Sequence, residues 1–177
     1  MPISSQNSKK KNLKRSKNSF FQIEILVKDR NWNDVKNIRG LIQRVINVAV
    51  QYLKISIQNH NEVCVVLSND KEIQNLNLTF RRKNYPTNVL SFPSAKKGGR
   101  NFMGDIVLAR ETIEREAIEL NIPFVHHISH LTIHGFLHLM GYQHETTREA
   151  NKMESLEVAI LSHLGILDPY KKISSPM

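Results

Sequence analysis

Residues 124–144 read FVHHISHLTIHGFLHLMGYQH. Leu131, Ile133, Phe136, Leu137, Leu139 and Met140 make the stretch 124–140 apolar nearly all round at helical spacing, which predicts a helix in the interior rather than on the surface. Imidazoles on such a helix need partners, because an unpaired buried polar group costs free energy. His134 and His138 are four residues apart, so they share one helical face one turn apart. Gly141 can take the left-handed conformation that ends a helix. The chain can then turn back and bring His144 in as a third imidazole.

Three neutral nitrogens with an open fourth position describe a catalytic rather than a structural zinc site. Such a set leaves the ion its full charge to acidify a bound water or polarise a phosphoryl oxygen. Imidazole sites also accept nickel and copper. His127 and His130 fall on the same face as His134 but have no turn-borne third partner. They are expected to support the ligands from behind, His130 above all, or to be structural. His126 points elsewhere, His60 lies in a polar loop, and His163 sits near a helix C-terminus, where positive charge is welcome.

Working outward, strands come early and helices late. Phe20–Val27, Glu62–Leu67, Val89–Phe92 and Gly104–Leu108 read as strands. Helices are expected from an Asn33 or Asp34 cap to about Leu53, from Asn69 or Asp70 to about Phe80, and over about 110–120, 124–140 and 147–164. Arg81–Pro86 reads as a basic turn and 96–101 as a basic, glycine-containing loop. The order predicts an α+β domain with one sheet and helices packed on it.

The formal net charge is +9, and residues 1–18 hold six lysines and arginines and no acid. That segment has too little apolar surface to offset its ordering entropy, so it is expected as a disordered basic tail before a single domain over 19–177. Its lysines suit a phosphate backbone through counterion release. No apolar run approaches the roughly 18 residues needed to cross a bilayer. Cys64 is the only cysteine, which excludes a disulfide framework and points to a reducing, cytoplasmic compartment. As part of an apolar strand, Cys64 is expected to be a buried, inert thiol.

The histidine spacing is that of the metzincin proteases, but Gly135 stands where those enzymes carry the glutamate that acts as general base. A glycine cannot move protons, which argues against peptide hydrolysis by that route.

Three blocks together resemble the YbeY family of bacterial rRNA maturation endoribonucleases. They are His134 to His144, Leu76 to Pro93 (LNLTFRRKNYPTNVLSFP) and Gly104-Asp105-Ile106, and the resemblance spans about residues 20–167. Gln143 and Asn88 depart from it, each standing where the family commonly has aspartate; Asn84 and Tyr85 vary the turn. The resemblance implies an α+β fold with one small mixed sheet and a metal site in a cleft near it. It implies metal-dependent cleavage of single-stranded RNA, maturation of the 3′ end of small-subunit rRNA, ribosome quality control, and work on ribosomal particles. The family's ligands map onto His134, His138 and His144, holding one zinc ion, and its important arginine onto Arg81.

These residues suit RNA. Phosphodiester cleavage builds negative charge on equatorial phosphoryl oxygens, which a metal ion and a guanidinium stabilise. Arg81 offers the planar fork that matches phosphate, and Arg82, Lys83, Lys96, Lys97 and Arg100 can track the backbone on either side. Asp105 either orients a ligand or water, or caps a turn. Metal-bound hydroxide and the RNA 2′-OH are both open as the attacking group. Ser91 and Thr87 have no base beside them, which leaves a serine hydrolase unsupported. Two alternatives stand beside the nuclease: a metal-dependent hydrolase of another substrate, and a non-catalytic ribosome-assembly factor stabilised by zinc. No small-molecule cofactor and no membrane is expected in any of them.

Overall fold

The computed structural model describes residues 21–56, 61–95 and 102–171. The basic tail, His60, Lys96, Lys97 and Arg100 lie outside the described residues.

Among the described residues, four strands form one mixed sheet: β1 (Gln22–Val27), β2 (Glu62–Ser68), β3 (Val89–Pro93) and β4 (Phe102–Ala109). Their spatial order is β1-β2-β4-β3, with β1, β2 and β4 parallel and β3 antiparallel to β4. The central β2 is apolar at nearly every position because helices cover both its faces. Val63, Val65 and Leu67 join the main core, whereas Cys64 and Val66 face the other way. Where β2 meets β4 the register slips at Glu62/Val63, leaving Met103 as an extra residue. Gly104 follows at φ +138°, and a Cβ there would lie 2.2 Å from the Phe92 carbonyl oxygen. The bulge therefore demands glycine.

Among the described residues there are five helices: α1 (Ile38–Tyr52), α2 (Asp70–Arg81), α3 (Arg110–Glu119) and α4 (Phe124–Leu139), which contact the sheet, and α5 (Thr147–His163), which packs on α4 and α1. The fold is thus the α+β domain read from the sequence. α2 covers one face of β3 and β4 through Ile73 and Leu76, against Leu90, Val107 and Ala109. On the other face α4 runs through the middle of the molecule, touching β3, β4, α1, α3 and α5. Ile128, Ile133, Phe136 and Leu137 are fully buried. Its hydroxyls satisfy themselves inside the helix, Ser129 to the Val125 carbonyl at 2.7 Å and Thr132 to the Ile128 carbonyl at 2.8 Å. Among the described residues, no helix is long and apolar enough to cross a membrane.

The start of α1 corrects the reading from sequence. Neither Asn33 nor Asp34 caps it. Residues Arg30–Asp34 form a short 3-10 turn, and Asn37 in the left-handed region precedes α1. The reason is Trp32. Its ring is fully buried, its indole N–H donates to the Ser68 carbonyl at 2.7 Å, and it stacks on Phe124 at 6.2 Å. Burying an indole with its donor satisfied outweighs a cap worth about 1 kcal/mol.

Candidate metal centre

α4 ends as its sequence dictates. Gly141 takes φ +87°, its N–H donates to the His138 carbonyl at 3.0 Å, and the Tyr142 N–H donates to the Leu137 carbonyl at 3.0 Å. This pair of bonds is the Schellman ending. The chain reverses, and His144 is delivered just before the Thr146–Glu149 capping box that opens α5.

The three imidazoles converge. Ring centroids are 4.6 Å apart for His134–His138, 5.0 Å for His138–His144 and 5.5 Å for His134–His144. One nitrogen from each lies within 4.8 Å of the others, and no other trio of His, Cys, Asp or Glu among the described residues has such spacing. His134 and His138 are half-buried and His144 is exposed, so the site opens to solvent on one side.

The outward-facing nitrogens define the proton positions. His138 Nδ1 stands 2.9 Å from the Tyr142 carbonyl oxygen, which can only accept, so this nitrogen carries its proton. His134 Nδ1 stands 2.8 Å from Glu157 Oε1 and donates likewise. In the neutral rings both Nε2 atoms are then bare, and they face each other at 3.1 Å. Two opposed lone pairs call for a cation between them. Nitrogens bound at the 2.0–2.1 Å of a tetrahedral zinc ion would be roughly 3.3 Å apart, so the donor set fits. Burial pushes the His138 pKa down to about 4, with the charges of His134, His144 and Arg81 adding to the shift and the Tyr142 carbonyl opposing it. His138 is therefore neutral at pH 7, as a ligand must be.

Glu157 is the residue that sequence reasoning missed. Its side chain is fully buried in α5. Burial alone would raise its pKa, but hydrogen bonds from His130 and His134, and another from Tyr170, bring it down to about 2. His130 Nε2 reaches Glu157 Oε2 at 2.8 Å. The structure thus places His130 on the same carboxylate that supports His134. A signal was present: Met153, Glu157, Ile160 and Leu161 are the buried positions of α5, and an acid at apolar spacing needs a partner inside.

His127 turns to another carboxylate. Its Nε2 lies 2.7 Å from Glu116 Oε2 on α3. Asn88 donates to both oxygens of Glu116, at 3.1 and 3.0 Å. At this position aspartate would set a carboxylate against a carboxylate, so the amide suits this chain. Gln143 is exposed beside His144. His163 bonds the Ala159 carbonyl within its own helix at 2.8 Å.

Arg81 ends α2, exposed, and its charge reaches His138. Arg82, in the left-handed conformation, and Lys83 follow it, both exposed. Their turn is pinned by Asn77, whose amide donates to the Tyr85 carbonyl at 2.8 Å. Asp105 is not brought to the histidines. Strand alternation puts Ile106 against α4 and Asp105 on the opposite face. There it lines a groove of about 650 Å³ with Lys28, Glu72, Leu76, Phe80 and Phe92. Burial raises the Asp105 pKa, with Cys64 opposing and Glu24 adding. Burial, then Asp105, raises the Cys64 thiol to about 12, so it is inert. Ser91 donates to the Gly135 carbonyl at 3.0 Å.

Residues 22–165 match the family Endoribonuclease YbeY. The chain is 43% identical over 154 residues to an Endoribonuclease YbeY of Bradyrhizobium sp. strain BTAi1, covering 83% of this chain and 90% of that protein. It is 43% identical over 157 residues to an Endoribonuclease YbeY of Agrobacterium fabrum, covering 84% and 94%. The solution structure of TM1509 from Thermotoga maritima shares the fold, with a TM-score of 0.55 and 24% identity over 88% of this chain and 100% of that one.

Proposed function

The chain belongs to the endoribonuclease YbeY family, and from that premise we propose that it is a zinc-dependent endoribonuclease cutting single-stranded RNA. The observation that carries the reading is the meeting of three imidazole nitrogens within 4.8 Å, two of them oriented from behind by Glu157 and the Tyr142 carbonyl. His134, His138 and His144 would hold one ion. Bound there, zinc supplies a Lewis acid that polarises a phosphoryl oxygen or acidifies a water.

The chain's own groups do the rest. Arg81 binds the equatorial oxygens of the scissile phosphate, where negative charge grows in the transition state. Arg82 and Lys83, with Lys96, Lys97 and Arg100, track the flanking backbone without reading sequence. The lysines of residues 1–18 add a salt-sensitive attraction for the same polyanion. Gly135 offers no proton-transfer group, which weighs against a peptidase.

The biological setting we infer is maturation of the 3′ end of small-subunit rRNA and quality control on ribosomal particles, in the cytoplasm. Family membership supports it. The test is cleavage of a fluorogenic single-stranded RNA by zinc-loaded protein, with His138→Ala purified in parallel. Activity in the wild type alone supports the nuclease reading. Equal activity in both points to a contaminant and removes its support. Inactivity in both favours the assembly-factor reading.

A further inference from the structure

Glu157 accepts three hydrogen bonds while fully buried. His134 Nδ1 lies 2.8 Å from Oε1 and His130 Nε2 lies 2.8 Å from Oε2. The third donor, the Tyr170 hydroxyl, comes from beyond the end of α5. Its arrival is built into the chain. Gly165 takes φ +72°, its N–H donates to the Ser162 carbonyl at 3.1 Å, and the Ile166 N–H donates to the Leu161 carbonyl at 3.0 Å. That is a second Schellman ending, and it turns the chain back along α5. Asp168 Oδ1 then accepts from the Tyr170 N–H at 2.9 Å and shapes the turn. The Tyr170 ring packs edge-on to His130 at 5.5 Å, with its hydroxyl 3.2 Å from His130 Nε2.

Such a carboxylate has few ways to move. Both oxygens are engaged from α4 and from the returning segment, so Oε1 is presented to His134 in one orientation. A carboxylate bonded to the outer nitrogen of a metal-binding histidine fixes its tautomer and raises its basicity. We propose that Glu157, latched by Tyr170, is the positioning residue that holds His134 as a metal ligand. The C-terminal turn at 165–170 is thereby part of the metal centre without touching the ion. The proposal rests on the metal-dependent reading above.

The test measures zinc affinity of the full-length protein by competition with a fluorescent zinc chelator, for wild type, Glu157→Gln, Tyr170→Phe and His138→Ala. Melting of each metal-free protein and the visible spectrum of each cobalt(II)-loaded protein are recorded alongside. Glu157→Gln should weaken zinc binding roughly 10–100-fold and alter the cobalt spectrum. Tyr170→Phe, acting one bond further out, should weaken it by roughly 3–10-fold. Wild-type zinc affinity in both, with binding lost in His138→Ala, would overturn the proposal and leave the metal centre standing. A drop in metal-free melting temperature without a change in zinc affinity would overturn it too, because a role confined to joining α4 and α5 predicts that result. Unchanged affinity in His138→Ala would remove the metal centre itself, and the proposal with it. Should Glu157→Gln fail to fold, Tyr170→Phe decides.

Discussion

The Ser91 hydroxyl donates to the Gly135 carbonyl at 3.0 Å, tying β3 to α4 one residue beyond His134. Here the helix packs tightly on the sheet. A Cβ on Gly135 would stand 2.8 Å from Ile106 Cγ2, 3.0 Å from Ser91 Oγ and 3.3 Å from Val89 Cγ2. The glycine that replaces a protease's glutamate is thus a packing requirement. It lets α4 lie flat on β3 and β4 and sets the height of His134 above the sheet.

Gly135→Ala should therefore destabilise the protein, although alanine is the better helix former. Propensity favours the variant by about 1 kcal/mol. Overpacking against Ile106 and Ser91 costs roughly 1–3 kcal/mol. The expected net loss is roughly 0–2 kcal/mol, read by urea denaturation of the metal-free protein. A stabilised variant would mean that the helix rides higher than described.

Arg81 should separate chemistry from metal binding. Arg81→Ala removes the guanidinium proposed to bind the scissile phosphate and should lower kcat/KM on single-stranded RNA by roughly 10²–10³-fold. Zinc affinity should not fall, because Arg81 is not a ligand. Arg82→Ala and Lys83→Ala should instead raise KM and flatten its dependence on salt. A loss of zinc binding in Arg81→Ala would reassign the residue to holding the site together.

Glu116 ties α3 to α4 and to β3 through His127 and Asn88. Burial would raise its pKa, but the hydrogen bonds from His127 and Asn88 outweigh that and lower it. A folded pKa below the unfolded one means that the ionised group stabilises the fold above the unfolded value of about 4.3. That contribution disappears as pH falls through the folded value. Glu116→Gln presents an amide N–H to the Asn88 donor and should cost about 1 kcal/mol at pH 7. The gap between variant and wild type should close below pH 4, as melting curves across pH would show. A gap independent of pH would mean that the carboxylate charge is not what matters.

The parts of this molecule legible from sequence are those whose partners lie within one or two helical turns. α4 declared itself through apolar spacing, and Gly141 through the one conformation that returns His144 to His138. Trp32 was not legible as an anchor, because its acceptor is Ser68 on β2 and no local pattern names so distant a carbonyl. Asp105 shows the same limit from the other side. Its parity with Ile106 puts it away from α4, but only after Gly135 has shown which face of β4 the helix covers. Glu157 needed three partners from α4 and the C-terminal turn, so the sequence offered only an acid at an apolar position.

Removing the metal distinguishes an open catalytic site from a structural one. A structural zinc holds its domain together, and chelation unfolds it. Here the core around α4 is built from Trp32, Ile42, Ile46, Ile106, Ile133 and Phe136, all fully buried, and it does not depend on the triad. The site also sits at the helix end, with His144 exposed. Chelation should therefore leave the far-ultraviolet circular dichroism unchanged. At free zinc 100-fold above its dissociation constant, binding stabilises the fold by about 2.7 kcal/mol, so removal should lower Tm by roughly 5–10 °C. His144→Ala should shift Tm less in the metal-free protein than Phe136→Ala, which opens a cavity in the core and costs roughly 3–5 kcal/mol. Unfolding on chelation at 25 °C would contradict the open site and support the zinc-stabilised assembly factor.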